Sequence, residues 1–306
     1  MGEKGSRTEP LPLDFAAMHG IFILSLDTEI AWGTDPELRP RYAACFEAYP
    51  DLLRRLLNLL DQYDIAATWA VVGQLMLPAD NKRAANMEPA HWFHAPYVVE
   101  WIRNAKTAHE ISTHTFSHIY TADPPSAPRC GRRRWNSAPC CIKNWGCRCV
   151  RLSTRATRLS MWRRWRNMAS QLTGRRRQPP AERRGMAHLL DRALALPPPT
   201  YAPTSLKVNG KVVNLPASQF LMAYDGVRGY IPSASRVRQA RLGLKQAVKR
   251  GEIYHLWFHP FNLGTSPRMF EALEHILRDV AQRREREAAS GDDHGAGGRV
   301  GAGGKY

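Results

Sequence analysis

The segment Ile21-Phe22-Ile23-Leu24-Ser25-Leu26-Asp27 decides the fold of this chain of 306 residues. It is a short apolar run, rich in β-forming residues, that ends abruptly at a carboxylate. Such a run is typical of a strand that is buried on both faces of a parallel sheet. The abrupt change to Asp27 predicts that polar chemistry begins at the tip of this strand.

Helical and strand patterns alternate after this segment. A broad leucine stripe at helical spacing predicts a helix over 41–63, and an apolar run that is closed by Gly73 predicts a strand over 66–72. A helix over 95–105 and a strand around 109–111 follow. This alternation predicts an α/β fold with parallel strands, in which functional sites form where the carboxyl ends of the strands converge.

The carboxyl-terminal half repeats these signals. Asn209-Gly210 predicts the tight turn of a hairpin over 207–213, because both residues tolerate positive φ angles. Helices are predicted over 186–196, 235–250 with Gly251 as its stop, and 267–285, and a buried strand over 253–258.

Two carboxylates stand at the end of the first strand. Asp27 and Glu29 are two residues apart, so their side chains point to the same side if the chain stays extended. This arrangement suits two carboxylates that share one site. The alternative is that both acids cap the next element or form surface ion pairs.

Histidines follow two other predicted strands. His114 and His118 are four residues apart, so on a helix they would face the same way and could bind one metal ion. His259 directly follows the strand over 253–258 and precedes a proline. His255 lies within that strand, about 13 Å from His259 by extended spacing, and is interpreted as a packing residue. Each histidine could instead be incidental or structural.

The sequence resembles the polysaccharide deacetylase family, also known as the NodB-homology family or carbohydrate esterase family 4. The resemblance covers roughly residues 20–120 and 186–285. It rests on four motifs: Ser25-Leu26-Asp27-Thr28-Glu29, Ala67-Thr68-Trp69-Ala70-Val71-Val72-Gly73, His109-Glu110-Ile111-Ser112-Thr113-His114-Thr115-Phe116-Ser117-His118 and Leu256-Trp257-Phe258-His259-Pro260.

The resemblance implies a distorted (β/α) barrel and a role for each motif residue. Asp27 matches the catalytic base and His259 matches the general acid of the family. Glu29, His114 and His118 match the ligands of a divalent metal, for which Zn²⁺ is expected.

The first motif departs from the family pattern. The commonest form has adjacent aspartates, whereas here Thr28 separates the two acids, an arrangement found in some branches of the family. The ligand role is therefore carried to Glu29.

The resemblance further implies a hydrolase that removes an N-acetyl group from a sugar in a polysaccharide or its precursor. Hydrolysis of another, non-peptide amide is the alternative within enzymes. The sequence lacks an apolar run of about 18 residues that could span a bilayer, and no secretory signal is recognised at its start. A cytoplasmic location is therefore expected.

Residues 123–186 form a basic segment, with 17 Lys and Arg against two acids, within a chain of net charge +17. Five of the six cysteines lie there, without zinc-module spacing. The expected strand, helix and arginine motif of the family are not recognised. The segment can be interpreted as a zinc module, as a nucleic-acid-binding arm on a non-catalytic barrel, or as a stretch read out of frame, which would leave the enzyme inactive. Nucleic acid is not the expected partner.

These signals predict five regions along the chain. They are a loose lead-in (1–18), the first part of the barrel (19–122), the poorly ordered basic segment (123–186), the remainder of the barrel (187–285) and a disordered Gly-rich tail (286–306).

Overall fold

The computed structural model describes residues 20–82, 85–118, 193–209 and 212–296. The lead-in, the basic segment and most of the helix predicted over 186–196 lie outside these residues, and so does the end of the Gly-rich tail.

Seven strands lie in the described residues, and five of them form one parallel sheet. The sheet order is β3-β2-β1-β7-β6, and β4 pairs antiparallel with β5 as a separate hairpin. The strands are β1 (Ile21–Thr28), β2 (Thr68–Val71), β3 (Glu110–Thr113), β4 (Lys207–Asn209), β5 (Val212–Asn214), β6 (Gln219–Phe220) and β7 (Ile253–Phe258). The predicted parallel pairing and the predicted hairpin are therefore confirmed.

Strand β1 is the central strand of the sheet. Leu26 pairs in register with Trp69 of β2 on one side and with Phe258 of β7 on the other. All three side chains are fully buried, as expected for a strand with neighbours on both edges. The strand continues through Asp27 to Thr28, so Asp27 belongs to the sheet itself.

The predicted (β/α) barrel is not confirmed, because the sheet is open within the described part of the chain. Strands β3 and β6 stand at its two edges and do not pair with each other. The described residues supply five strands to this sheet, whereas a closed barrel with a filled interior takes about eight. The α/β class is confirmed, and the observed form is an open parallel sheet.

Helices connect the strands and cover the sheet. They are α1 (Arg39–Glu47), α2 (Tyr49–Gln62), α3 (Tyr97–Asn104), α4 (Ser233–Arg250) and α5 (Pro267–Ala296). The single helix predicted over 41–63 was wrong, since Pro50 starts a new helix at its favoured position in the first turn. Gly251 ends α4 in a left-handed conformation, as predicted. Helix α5 extends beyond its predicted end, so the tail predicted from residue 286 begins too early.

The main core lies between the helices and one face of the sheet. It joins Phe22, Leu24 and Leu26 of β1 to the leucine stripe of α2. A small second cluster of Ile23, Leu215 and Ile253 covers part of the opposite face. Because β1 is packed from both faces, the position of its carboxyl end is fixed by the core.

His255 is buried within β7 on the opposite face from the main core. Its Nδ1 lies 3.2 Å from the carbonyl oxygen of Pro216, and its Nε2 lies 2.6 Å from Oγ of Ser25. A carbonyl can only accept, so Nδ1 carries the proton and Nε2 accepts from the Ser25 hydroxyl. Burial lowers the pKa of His255 to about 4. The ring is therefore neutral, and the interpretation of His255 as a packing residue is confirmed.

We expect the neutral state of His255 to make folding pH-dependent. The unfolded chain takes a proton on this ring below about pH 6.5, whereas the folded chain does so only near pH 4, so acidification favours unfolding. The free energy of unfolding should fall by up to about 3 kcal/mol between these values on account of this group. Urea unfolding across this pH range measures the slope.

The variant His255→Gln should show a shallower slope, and His91→Gln, at an exposed histidine, should keep the wild-type slope. Burial also lowers the pKa of His109 to about 4, so His109 should make the same contribution to the pH dependence of unfolding in both variants. An unchanged slope in His255→Gln would contradict this account.

Candidate metal centre

The predicted site residues meet at the carboxyl edge of the sheet. Glu29 directly follows β1, His114 directly follows β3, and His259 directly follows β7. Because these strands are parallel and lie close together in the sheet order, their ends bring residues from distant parts of the sequence into one place.

Glu29 lies at the centre of this group and is only 2% exposed. Its Oε2 atom lies 2.8 Å from Nε2 of His118 and 3.2 Å from Nε2 of His114. Its Oε1 atom lies 3.2 Å from Nε2 of His259. One buried carboxylate therefore faces three imidazoles.

The imidazoles keep the buried carboxylate ionised. Burial by itself raises the pKa of Glu29, but the charge of His259 and the contacts with His114 and His118 outweigh it, so the pKa lies far below its usual value. For His114 burial lowers the pKa, and the contact with Glu29 together with the charge of Asp27 more than reverses that effect. The negative charge of the Glu29 carboxylate is therefore stabilised by the imidazoles that face it.

His114 and His118 lie in a turn and not on a helix, so the predicted structural basis for their convergence was wrong. Thr115 and His118 both adopt left-handed backbone conformations, with φ of 62° and 52°. These conformations are uncommon for residues other than glycine and cluster at functional sites. The turn brings the two rings to a centroid separation of 5.0 Å.

Strand β2 and the residues that follow it hold this turn in place through backbone hydrogen bonds. The amide of His114 donates to the carbonyl of Val71 at 2.9 Å, and the amide of Gly73 donates to the carbonyl of Thr115 at 2.9 Å. The amide of Gln74 also donates to the carbonyl of Phe116 at 2.7 Å. A side chain at Gly73 would collide with the Phe116 ring, because its Cβ would lie 2.7 Å from Cδ2. The glycine that closes the second strand motif therefore allows the histidine turn to dock.

Asp27 and His259 are more accessible to solvent than the central carboxylate of Glu29. Their side chains are 22% and 18% exposed, whereas that of Glu29 is 2% exposed. His259 Nε2 lies 4.0 Å from Oδ2 of Asp27. A substrate that approaches from solvent would meet these two groups before it reached the buried carboxylate.

The donor set fits a divalent metal. Glu29, His114 and His118 each offer one ligand atom, and these atoms lie within 4.8 Å of one another. Oε2 of Glu29 is buried and makes no hydrogen bond of regular geometry, so a bound cation could satisfy it. Two imidazoles and one carboxylate are typical ligands of a catalytic Zn²⁺ site, and they leave coordination positions open.

Other residues contact the site although none of them was assigned a role there from the sequence, and of these only Trp257 belongs to a recognised motif. Asn262 is buried, and its Nδ2 lies 3.5 Å from Nδ1 of His259. The rings of Phe220, Trp257 and Phe261 lie 5.5–5.7 Å from the His259 ring, centroid to centroid. These contacts depend on the loop after β7 and on the pairing of β6 with β7, which spacing along the sequence does not reveal.

The fold and this cluster define an α/β protein with a candidate metal centre at the carboxyl edge of its sheet. The profile of the polysaccharide deacetylase family matches residues 36–173 of the chain. This match supports the predicted family over that part of the chain, and members of the family are hydrolases that act on carbon–nitrogen amide bonds.

The matched region includes His114 and His118 but not Asp27, Glu29 or His259. It also spans residues 123–173 of the basic segment, where no family motif is recognised in the sequence. The individual roles of the site residues therefore remain predictions.

Other comparisons add little. A crystal structure from Mycobacterium smegmatis, of a protein assigned to the polysaccharide deacetylases, superposes with a TM-score of 0.47 at 18% sequence identity. The alignment covers 88% of this chain and 90% of that chain. No curated protein matches the chain. Among the described residues, no helix is both long and apolar enough to cross a membrane.

Removal of either histidine ligand should weaken metal binding. Substitution of the residues that orient the ligands of a metal site already costs about 10–100-fold in metal affinity. Loss of a ligand itself should cost more, so His114→Ala and His118→Ala should each lower the affinity for Zn²⁺ by more than about 100-fold. His91→Ala, at an exposed histidine outside the cluster, should bind as the wild type does. Isothermal titration with Zn²⁺ measures these affinities. Binding that is unchanged in both ligand variants would place the metal elsewhere in the chain.

Proposed function

We propose that this protein is a metal-dependent hydrolase that removes an N-acetyl group from a sugar in a polysaccharide or its precursor. One observation carries the proposal: a buried carboxylate and two imidazoles converge on one point, and the side chains of Asp27 and His259, which are more exposed than that of Glu29, lie beside them. This arrangement provides ligands, a base and an acid within one site, and the family supplies the reaction class.

Glu29, His114 and His118 would hold the divalent cation. When bound, such a cation supplies Lewis-acid polarisation of the amide carbonyl and lowers the pKa of water. The ionised state of Glu29 suits this role, because a ligand carboxylate must be deprotonated. The identity of the cation stays a prediction from the sequence, with Zn²⁺ favoured by the donor set.

Asp27 would act as the general base. It is the penultimate residue of the central strand β1 and is far more exposed than Glu29, so it can reach a water molecule that the buried Glu29 cannot. The carboxylate of Asp27 takes a proton from water while the water oxygen bonds to the acetyl carbon. The tetrahedral intermediate then collapses as the carbon–nitrogen bond breaks.

His259 would act as the general acid. Its Nε2 faces the carboxylates of Glu29 and Asp27, so a proton on this atom lies at the site of reaction. Nε2 donates that proton to the departing sugar nitrogen, which leaves as an amine while acetate remains. Asn262 and the flanking aromatic rings fix the orientation of the imidazole.

The sugar class is supported by the family and by the apolar wall of the site. Phe220, Trp257 and Phe261 surround His259, and aromatic side chains are common in the lining of small-molecule sites. The preference for a precursor, the cytoplasmic location and the nucleic-acid-binding alternative remain predictions from the sequence, since the basic segment lies outside the described residues.

Acetate release from a chitin oligosaccharide tests the proposed reaction. The Zn²⁺-loaded protein should release acetate, and treatment with a chelator should abolish this release. Because a general base contributes about 10²–10⁴-fold, Asp27→Asn should lower kcat by that factor and still bind Zn²⁺. The exposed-site variant His91→Gln is the control. If Asp27→Asn keeps wild-type kcat, or if the loaded wild type releases no acetate, the proposal is wrong for this substrate.

A further inference from the structure

We propose that Gly33 is a positioning residue of the metal centre, kept free of a side chain so that the Glu29 carboxylate can lie between the imidazoles. This inference deepens the proposed function, because it rests on Glu29 as a metal ligand. Gly33 does not contact a substrate or a metal in this account. It acts through Glu29.

The geometry at Gly33 carries the inference. A Cβ atom at this position would lie 2.1 Å from Oε1, 2.3 Å from Cδ and 2.5 Å from Oε2 of Glu29. Non-bonded carbon atoms prefer separations of about 3.5–4.0 Å, so a methyl group there would occupy the place of the carboxylate itself. The two oxygens that it would displace are those that face His118 and His259.

A tight turn brings Gly33 onto the carboxylate. The amide of Trp32 donates to the carbonyl of Glu29 at 2.9 Å, which reverses the chain directly after β1. Ile30, within this turn, has a φ of 48°, a rare conformation for a β-branched residue, although its side chain is fully buried. The strain at Ile30 shows that the surrounding structure enforces the turn.

Gly33 differs from glycines that allow two backbone segments to pack closely. At Gly20 a Cβ would collide with the backbone of Ala247 and Val248, so substitution there would push two elements apart. At Gly33 the colliding atoms are the end of one side chain. Rotation of Glu29 away from the imidazoles would relieve the clash without moving the backbone. The expected result of Gly33→Ala is therefore a folded protein with a damaged metal centre.

Gly229→Ala is a matched control, because a Cβ at Gly229 meets no atom within 4 Å. Isothermal titration with Zn²⁺ should show an affinity about 10- to 100-fold weaker in Gly33→Ala than in wild type, as is usual for residues that orient ligands. Gly229→Ala should bind as wild type does. A wild-type affinity in Gly33→Ala would overturn the proposal.

Imidazole spectra of the metal-free proteins test the same contact without any metal. In ¹H–¹⁵N NMR at fixed pH, the Nε2 signals of His114 and His118 should shift in Gly33→Ala and stay in place in Gly229→Ala. Unchanged signals in Gly33→Ala would overturn the proposal. If the wild type binds no Zn²⁺, the proposed function fails, and these spectra still decide the role of Gly33.

If Gly33→Ala does not fold, the double variant Glu29→Ala/Gly33→Ala decides the matter. Removal of the Glu29 carboxylate removes the colliding atoms, so a folded double variant supports the proposal. A double variant that also fails to fold would show that Gly33 serves the backbone instead.

Discussion

The site depends on the burial of one carboxylate among three imidazoles. An isolated buried carboxylate would be protonated, because the loss of water disfavours its charged form. In this chain the imidazoles that face Glu29 more than offset that cost, and its pKa lies well below the usual range. Two of the three imidazoles that keep Glu29 ionised, those of His114 and His118, are also donors of the candidate metal site, so the electrostatics of the metal-free cluster and its capacity to bind a cation share these groups.

The fold provides this juxtaposition through its sheet. Strand β1 is central and buried on both faces, so the position of its carboxyl end is set by the core and not by the loop that follows. The loops after β3 and β7 reach the same edge because all the strands of the sheet are parallel. Backbone hydrogen bonds from the end of β2 then fix the histidine turn. The site residues span more than 230 positions of the sequence, from Asp27 to His259.

The sequence predicted well which polar residues lie at the carboxyl ends of the strands. Asp27, Glu29 and His259 directly follow or end apolar runs, and a change from apolar to polar residues is visible in a linear pattern. The assignment of His255 to packing was also right, because a strand separates residues four apart by about 13 Å. Hydrophobic pattern alone was therefore sufficient for strands β1, β2, β3 and β7, for their parallel direction and for the edge at which the polar groups meet, but it missed the short strand β6.

Features that depend on backbone conformation were not predictable in the same way. The convergence of His114 and His118 was attributed to helical spacing, but it results from left-handed residues and from hydrogen bonds to β2. The role of Gly33 requires knowledge of a turn that places it on a side chain four residues earlier. Whether the sheet closes into a barrel depends on how many strands pair in it. The pattern of apolar residues along the sequence does not reveal that number.

X-ray absorption at the zinc edge of the Zn²⁺-loaded protein tests the central claim most directly. It distinguishes a cluster of Glu29, His114 and His118 from a site built by the cysteines of the basic segment. The account predicts a first shell of nitrogen and oxygen at about 2.0–2.1 Å, with the multiple-scattering signature of two imidazoles. A shell dominated by sulfur at about 2.3 Å would contradict it, because the metal would then be bound outside the carboxyl edge of the sheet.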